Sequence, residues 1–207
     1  MRARLLAPII AICLLTSLTA FAQQQPMKKD DGNGNGKFQV TSTAFTDGGT
    51  IPLIMVWNQC SFYPGGGNQS PELSWTKVPG NTRSFVVTMY DITASFTHWG
   101  MYNISPTVHE LPQNAGVPGS PYGMQVLNDY GVGDLSYDGP CPPPFLNPVS
   151  HTYVFTVYAL DTVLPTIPSF GDFQPGAEAL YQALIAAGQG GHIVRSASIT
   201  GLFPQPQ

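Results

Sequence analysis

Charge is scarce in this chain. Of 207 residues only eight are Lys or Arg and twelve are Asp or Glu, 10% in all. Beyond residue 37 three basic side chains remain, Lys77, Arg83 and Arg195, against ten acidic ones, which leaves −7. Such a surface excludes nucleic acid as a partner, because binding to a phosphate backbone is driven by clustered Lys and Arg. It equally excludes an anionic membrane held by charge alone. Cysteine is sparse too. Two remain after residue 22, Cys60 and Cys141, and in an oxidising compartment they either pair or stay as separate buried thiols. No later apolar run is long enough to span a bilayer. Neither H-E-x-x-H nor G-x-S-x-G occurs, so the zincin and nucleophile-elbow classes of hydrolase have no footing. There is no internal repeat.

The first residues do have a long apolar run. Arg2 and Arg4 precede a stretch from Leu5 to Ala22, and Ala20-Phe21-Ala22 is an A-x-A-type cleavage site. This pattern predicts a secretory signal over residues 1–22, with a mature start at Gln23 and a secreted or periplasmic product. Pro8, Thr16, Ser17 and Thr19 interrupt the run and argue against a membrane anchor. Residues 23–37 are almost free of apolar side chains. They read as a disordered linker that has too little to bury to offset its ordering entropy. Residues 38–204 then suit one domain with a sizeable core.

Within that domain the strand signals dominate. Phe38–Phe45, Ile51–Trp57, Ser84–Asp91, His98–Ile104, His151–Leu160 and His192–Phe203 are apolar, β-branched or aromatic, and Pro and Gly clusters separate them. One helix is expected over Pro175–Ala187, with Leu180, Leu184 and Ala187 on one face and Gly188 past the end. The sum is a mainly β domain, an antiparallel β-sandwich with one or two peripheral helices. Residues 105–150 show little periodicity, and a loop of that length tends to carry function.

That long stretch ends on Tyr137-Asp138-Gly139-Pro140-Cys141-Pro142-Pro143 and is followed by His151-Thr152-Tyr153. Backbone N–H groups around Gly139 and Cys141 can form a nest for an oxyanion, stiffened by the prolines. Period-2 alternation puts His151, Tyr153, Phe155 and Val157 on one face, and His98, Gly100 and Tyr102 on one face of another strand. Asp91 ends one strand and His98 opens the next, so a hairpin sets both at one rim. Asp91 fixes the tautomer of either His98 or His151, or else only caps its own loop. The Tyr153 hydroxyl adds a donor, and Trp99, Tyr102 and Phe145 supply apolar wall. These groups read as a pocket for a small anion.

The order of these motifs resembles the phosphatidylethanolamine-binding protein family, in its bacterial Raf-kinase-inhibitor-like branch. The matching runs are Asn68-Gln-Ser-Pro-Glu-Leu-Ser-Trp75, Ser84-Phe-Val-Val with Asp91, His98-Trp99, Asn103-Ile104, Asn128-Asp-Tyr-Gly131, Tyr137 to Pro143, and His151-Thr-Tyr153-Val-Phe-Thr-Val-Tyr-Ala-Leu-Asp161. The resemblance covers residues 38–203. It implies a β-sandwich with one anion pocket at Asp91, His98, Gly139, Cys141, His151 and Tyr153. It also implies a binding protein without cofactor whose ligand is phosphate or a phospholipid head group; several family members inhibit proteases or kinases or scaffold signalling partners. The family pattern Asp-Pro-Asp-Ala-Pro is here Asp91-Ile-Thr-Ala-Ser95, its His-Arg-Tyr is His151-Thr-Tyr153, and Ser61–Gly67 is inserted after Cys60. These departures remove a carboxylate, two prolines and a cation beside the pocket.

The leading expectation is therefore a secreted, non-catalytic protein that binds a small anion. Two alternatives stand beside it. One is a metal-dependent or acid–base hydrolase using Asp91, His98 and His151. The other is an inhibitor or interaction module whose protein partner meets residues 105–150.

Overall fold

A computed structural model describes residues 36–131, 135–143, 150–168 and 176–204. The expected signal, most of the linker, Phe145 and Pro175 lie outside the described residues. Nine strands and one helix are described: β1 (Gln39–Thr41), β2 (Gly49–Thr50), β3 (Leu73–Thr76), β4 (Ser84–Asp91), β5 (Phe96–Ile104), β6 (Glu110–Leu111), β7 (Met124–Gln125), β8 (Ser150–Leu160), α1 (Gly176–Gln189) and β9 (Ile193–Pro204). They form a three-stranded sheet in the order β1-β3-β6 and a six-stranded sheet in the order β2-β9-β8-β4-β5-β7. Every pairing is antiparallel except β2 with β9.

The centre of the large sheet is where the sequence reads most plainly as strand. β8 alternates, burying His151, Tyr153, Phe155, Val157 and Ala159. Its β-branched and aromatic residues fit a pleated, packed surface. Phe155, Val157, Phe85, Val87, Met89, Trp99 and Met101 form the core between the two sheets, with Leu73, Trp75 and Leu111 from the small sheet. The opposite face of the large sheet carries a second, smaller core. There Leu180, Leu184 and Ala187 of α1 pack with Val86, Tyr102 and Val126. Gly100 is what lets the helix come so close: a Cβ there would sit 2.6 Å from a Leu180 methyl.

Three expectations change. Ile51–Trp57 is not a strand: Leu53–Met55 is a 3-10 turn, and Ile51 enters the core beside it. Pro52 at the start of that turn cannot donate to a ladder, which favours the turn. β3 went unforeseen, since four residues hold too little alternation to signal a strand. Residues 105–131 are not a bare loop: they supply the edge strands β6 and β7 and are pinned by Ala115 N–H to Pro112 and Asn114 N–H to Ser70.

Cys60 and Cys141 form a disulfide with Cα atoms 5.6 Å apart, 81 residues apart in sequence. The bridge fixes the proline loop to the 57–63 segment, where Trp57 N–H also donates to the Pro140 carbonyl at 3.2 Å. Cys60→Ala/Cys141→Ala should lower unfolding free energy by about 2–5 kcal/mol, as for native disulfides in small domains. Denaturant titration of the oxidised wild type and the double variant measures this.

Candidate functional site

The turn Ile92–Ser95 joins β4 to β5 and sets Asp91 and His98 at one end of the large sheet. The Asp91 carboxylate is buried and commits both oxygens. Oδ1 accepts from the N–H groups of Thr93 (2.8 Å) and Ala94 (3.0 Å), an Asx-type cap on the turn. Oδ2 lies 2.7 Å from His151 Nδ1. The two roles that the sequence left as alternatives are thus both filled, one by each oxygen. Of the two histidines, Asp91 takes His151.

His151 is itself buried, and its other ring nitrogen, Nε2, has no partner. Among the described residues only Trp75 Nε1 shares that condition. An unsatisfied buried polar atom costs about 1–3 kcal/mol, so such atoms are few, and a bound group that completes the hydrogen bond is one explanation for each. Since Nδ1–H is directed at a carboxylate, the neutral ring presents an acceptor lone pair at Nε2.

His98 reaches the same place through a bulge. Met89 pairs with Trp99 but Tyr90 pairs with Thr97, so His98 is the extra residue on β5. Regular alternation would send it to the α1 face with Gly100 and Tyr102. The bulge instead turns it inward, where its ring meets Tyr153 edge-on at 5.2 Å and Phe96 at 4.9 Å. Tyr102 stays behind: it lies in the helix-side core and its hydroxyl accepts from Ile167 N–H at 3.0 Å. Trp99 is also drawn elsewhere, donating from Nε1 to Gln125 at 2.7 Å. Neither forms the expected wall. That wall is built by Phe96, Tyr130 and Trp57, with Trp57 stacked on Tyr130 at 4.4 Å.

The proline loop stands beside the histidines, and of the two expected nest donors the Gly139 N–H is already spent, on Asn68 Oδ1 at 2.8 Å, while Cys141 gives its sulfur to the disulfide. Gly139 is needed for closeness rather than for its donor, since a Cβ there would lie 1.8 Å from the Met55 carbonyl oxygen. The loop is organised by Asp138, which sequence reasoning passed over. Its carboxylate accepts from Asn68 and Asn128, each at 2.8 Å, and its carbonyl accepts from His98 Nδ1–H at 2.8 Å. These partners lie ten to seventy residues away, so no local pattern marks them. Only their recurrence in the Asn68 and Asn128 runs was visible.

Burial shapes the electrostatics. It pushes the His98 imidazole down to about 4, against the raising pull of the Asp138 carbonyl and the Asp91 charge. It also raises Asp138, which Asn128, Asn68 and the Trp57 side chain pull back down. Tyr153 is raised well beyond its ordinary range, first by burial and then by the Asp91 carboxylate, so it remains a neutral donor. Among the described residues no three His, Cys, Asp or Glu side chains converge to hold a metal ion.

The departure at Thr93 and Thr152 closes on itself. Ile92 N–H donates to the Thr152 carbonyl at 3.0 Å, and Thr152 N–H donates to Thr93 Oγ1 at 3.0 Å. A side-chain hydroxyl thus replaces the carbonyl that would continue the β4–β8 ladder past Asp91. It holds the turn against the strand that carries His151.

Known proteins are similar to this chain in sequence and, where solved, in fold. The profile of the phosphatidylethanolamine-binding protein family matches residues 41–204. A UPF0098 protein of Methanothermobacter thermautotrophicus is 37% identical over 77% of this chain and 94% of its own. The UPF0098 protein YbhB of Escherichia coli is 35% identical over 80% of this chain and 99% of its own. The crystal structure of E. coli YbcL, described as a new member of the mammalian PEBP family, superposes with a TM-score of 0.65 at 32% identity, covering 82% of this chain and 99% of that one. The structure of a putative PEBP homologue from Chlamydia trachomatis gives 0.62 at 30% identity, over 83% and 99%.

A folded-state value for His98 below its ordinary 6.5 carries a definite sign. The unfolded chain takes up this proton first, so His98 stabilises the fold fully above pH 6.5, and that stability is lost as pH falls toward about 4. The loss is on the order of 3 kcal/mol at about 1.4 kcal/mol per pH unit. His98→Asn keeps a donor for the Asp138 carbonyl and should show a shallower decline in unfolding free energy over the same range.

Proposed function

The chain belongs to the phosphatidylethanolamine-binding protein family, and from that membership we propose that it is a non-catalytic binding protein for a small anion of the phosphate or phospholipid head-group kind. The pocket is formed by Asp91, His98, His151 and Tyr153, with Phe96, Tyr130 and Trp57 as wall. The single observation that carries this reading is the buried His151 ring: Asp91 fixes one nitrogen at 2.7 Å and leaves Nε2 without a partner. A buried imidazole oriented in this way is preorganised, so a ligand gains its hydrogen bond without first ordering the side chain. Gly139 and Cys141 act behind the pocket, the one through close packing on Met55 and the other through the disulfide. Binding is preferred to hydrolysis because, among the described residues, no nucleophilic side chain is hydrogen-bonded to His151 Nε2, and Cys141 is not a free thiol.

His151→Ala and Tyr153→Phe should weaken inorganic phosphate binding by about tenfold or more, the loss of one charge-assisted or buried hydrogen bond. Their cost in stability should be the smaller effect. Site-localised NMR shifts during a phosphate titration, set beside denaturant curves of the same variants, decide this. Equal losses in both measurements would make the two residues core groups only.

The protein works, on this reading, outside the cytoplasm. A disulfide suits an oxidising compartment, and the Ala20-Phe21-Ala22 site fits export. N-terminal sequencing of protein recovered from the periplasmic or extracellular fraction should read from Gln23; a chain beginning at Met1 there would contradict it.

A further inference from the structure

The charges around the histidine pocket are unusual for an anion site. Four basic side chains lie among the described residues, Lys37, Lys77, Arg83 and Arg195, and none of them is at the pocket; Lys37 leads into β1 of the small sheet, beside Lys77. Arg83 precedes β4 and Arg195 pairs with Ala159, both at the far end of the strands that bring Asp91 and Tyr153 to the site. Seven residues of strand separate the two ends, roughly 23 Å. Lys77 lines a separate shallow groove with Trp75, Val108 and His109.

β9 pairs with His151 through the apolar Phe203; the other elements around the two histidines bring an acceptor or a negative charge. β4 brings the Asp91 carboxylate, 2.7 Å from Nδ1. The proline loop brings the buried Asp138 carboxylate and the Tyr137 hydroxyl, which is spent on the Met55 carbonyl at 2.8 Å. β5 brings His98, whose Nδ1–H is spent on the Asp138 carbonyl, so its Nε2 is also a lone pair. Tyr130 donates to the Gly139 carbonyl at 3.1 Å. β8 brings Tyr153, whose hydroxyl is close to Asp91. Among the described residues the site thus holds two buried carboxylates, Asp91 and Asp138, and no lysine or arginine.

Resting on the anion reading above and narrowing it to phosphate and phosphomonoesters, we infer that this pocket selects its ligand by protonation state: it takes an oxyanion that bears one negative charge and still carries an O–H, as a singly ionised phosphomonoester does, and it rejects both a proton-free dianion and a phosphodiester. The O–H donates to His151 Nε2. A dianion would have to shed its water with no countercharge to replace it, which is the costliest kind of burial. It would also bring only acceptors to a site already rich in them. An ordinary cationic anion site shows the opposite preference, because Lys and Arg reward the extra charge.

The test is a titration of the intact protein with methyl phosphate, dimethyl phosphate and sulfate at constant ionic strength, read by NMR at His151 and Tyr153. Methyl phosphate should bind at about pH 5 and lose about tenfold in affinity by about pH 8, across its second ionisation near about pH 6. Sulfate and dimethyl phosphate, which have no O–H, should bind at least about tenfold more weakly than methyl phosphate at about pH 5. Sulfate binding as well as methyl phosphate would overturn the inference. Dimethyl phosphate binding as well would overturn it by showing that single charge suffices. If none of the three moved either signal, the anion reading itself would fall, and this inference with it.

Discussion

Asp91 is buried at the end of β4 with both oxygens committed, and the functional end of the molecule depends on that. One oxygen closes the turn that reverses the chain into β5, and so sets where His98 begins. The other orients His151 on the neighbouring strand β8. A buried carboxylate is costly unless it is fully paired. The turn and the imidazole therefore hold each other in place through a group that tolerates neither being absent. The Thr93–Thr152 hydrogen bond closes the same unit from outside, where a neutral hydroxyl completes the strand ladder.

The proline loop obeys a second constraint of the same kind. Asp138 is buried and accepts from two amide side chains that come from distant turns. Asn68, at φ +52°, serves Tyr137, Asp138 and Gly139 together. The disulfide and Trp57 then fasten the loop to the 57–63 segment. The result is a rigid wall beside the histidines in which most backbone donors are already spent. That is why the chemistry of the pocket falls to side chains, and why its lack of positive charge matters to the ligand.

Much of this was legible in the chain. β4 and β8 could be read because both are long, rich in β-branched and aromatic residues, and clearly bounded. α1 could be read from the spacing of Leu180, Leu184 and Ala187, all buried as expected. The six residues Asp91, His98, Gly139, Cys141, His151 and Tyr153 came from the order of motifs rather than from periodicity. What misled was alternation itself at His98. A single bulge moves that residue to the other face, and a bulge leaves no mark in a pattern of period two. β3 and the edge strands β6 and β7 were too short to show any period.

By itself, then, the sequence determined the β-rich class, the central strands, the helix α1 and the strand ends that bring histidine, carboxylate and tyrosine to a sheet rim. Those features rest on local burial patterns, and burial is written residue by residue. The tertiary structure decided which histidine Asp91 holds, that Cys60 and Cys141 pair, that Gly139 gives its N–H to Asn68, and that Asp138 organises the loop. Each of these is a hydrogen bond or a covalent bond between groups ten to eighty-one residues apart. Such partners are chosen by what the fold brings within about 3 Å of a buried polar atom. No local stretch of sequence carries that distance.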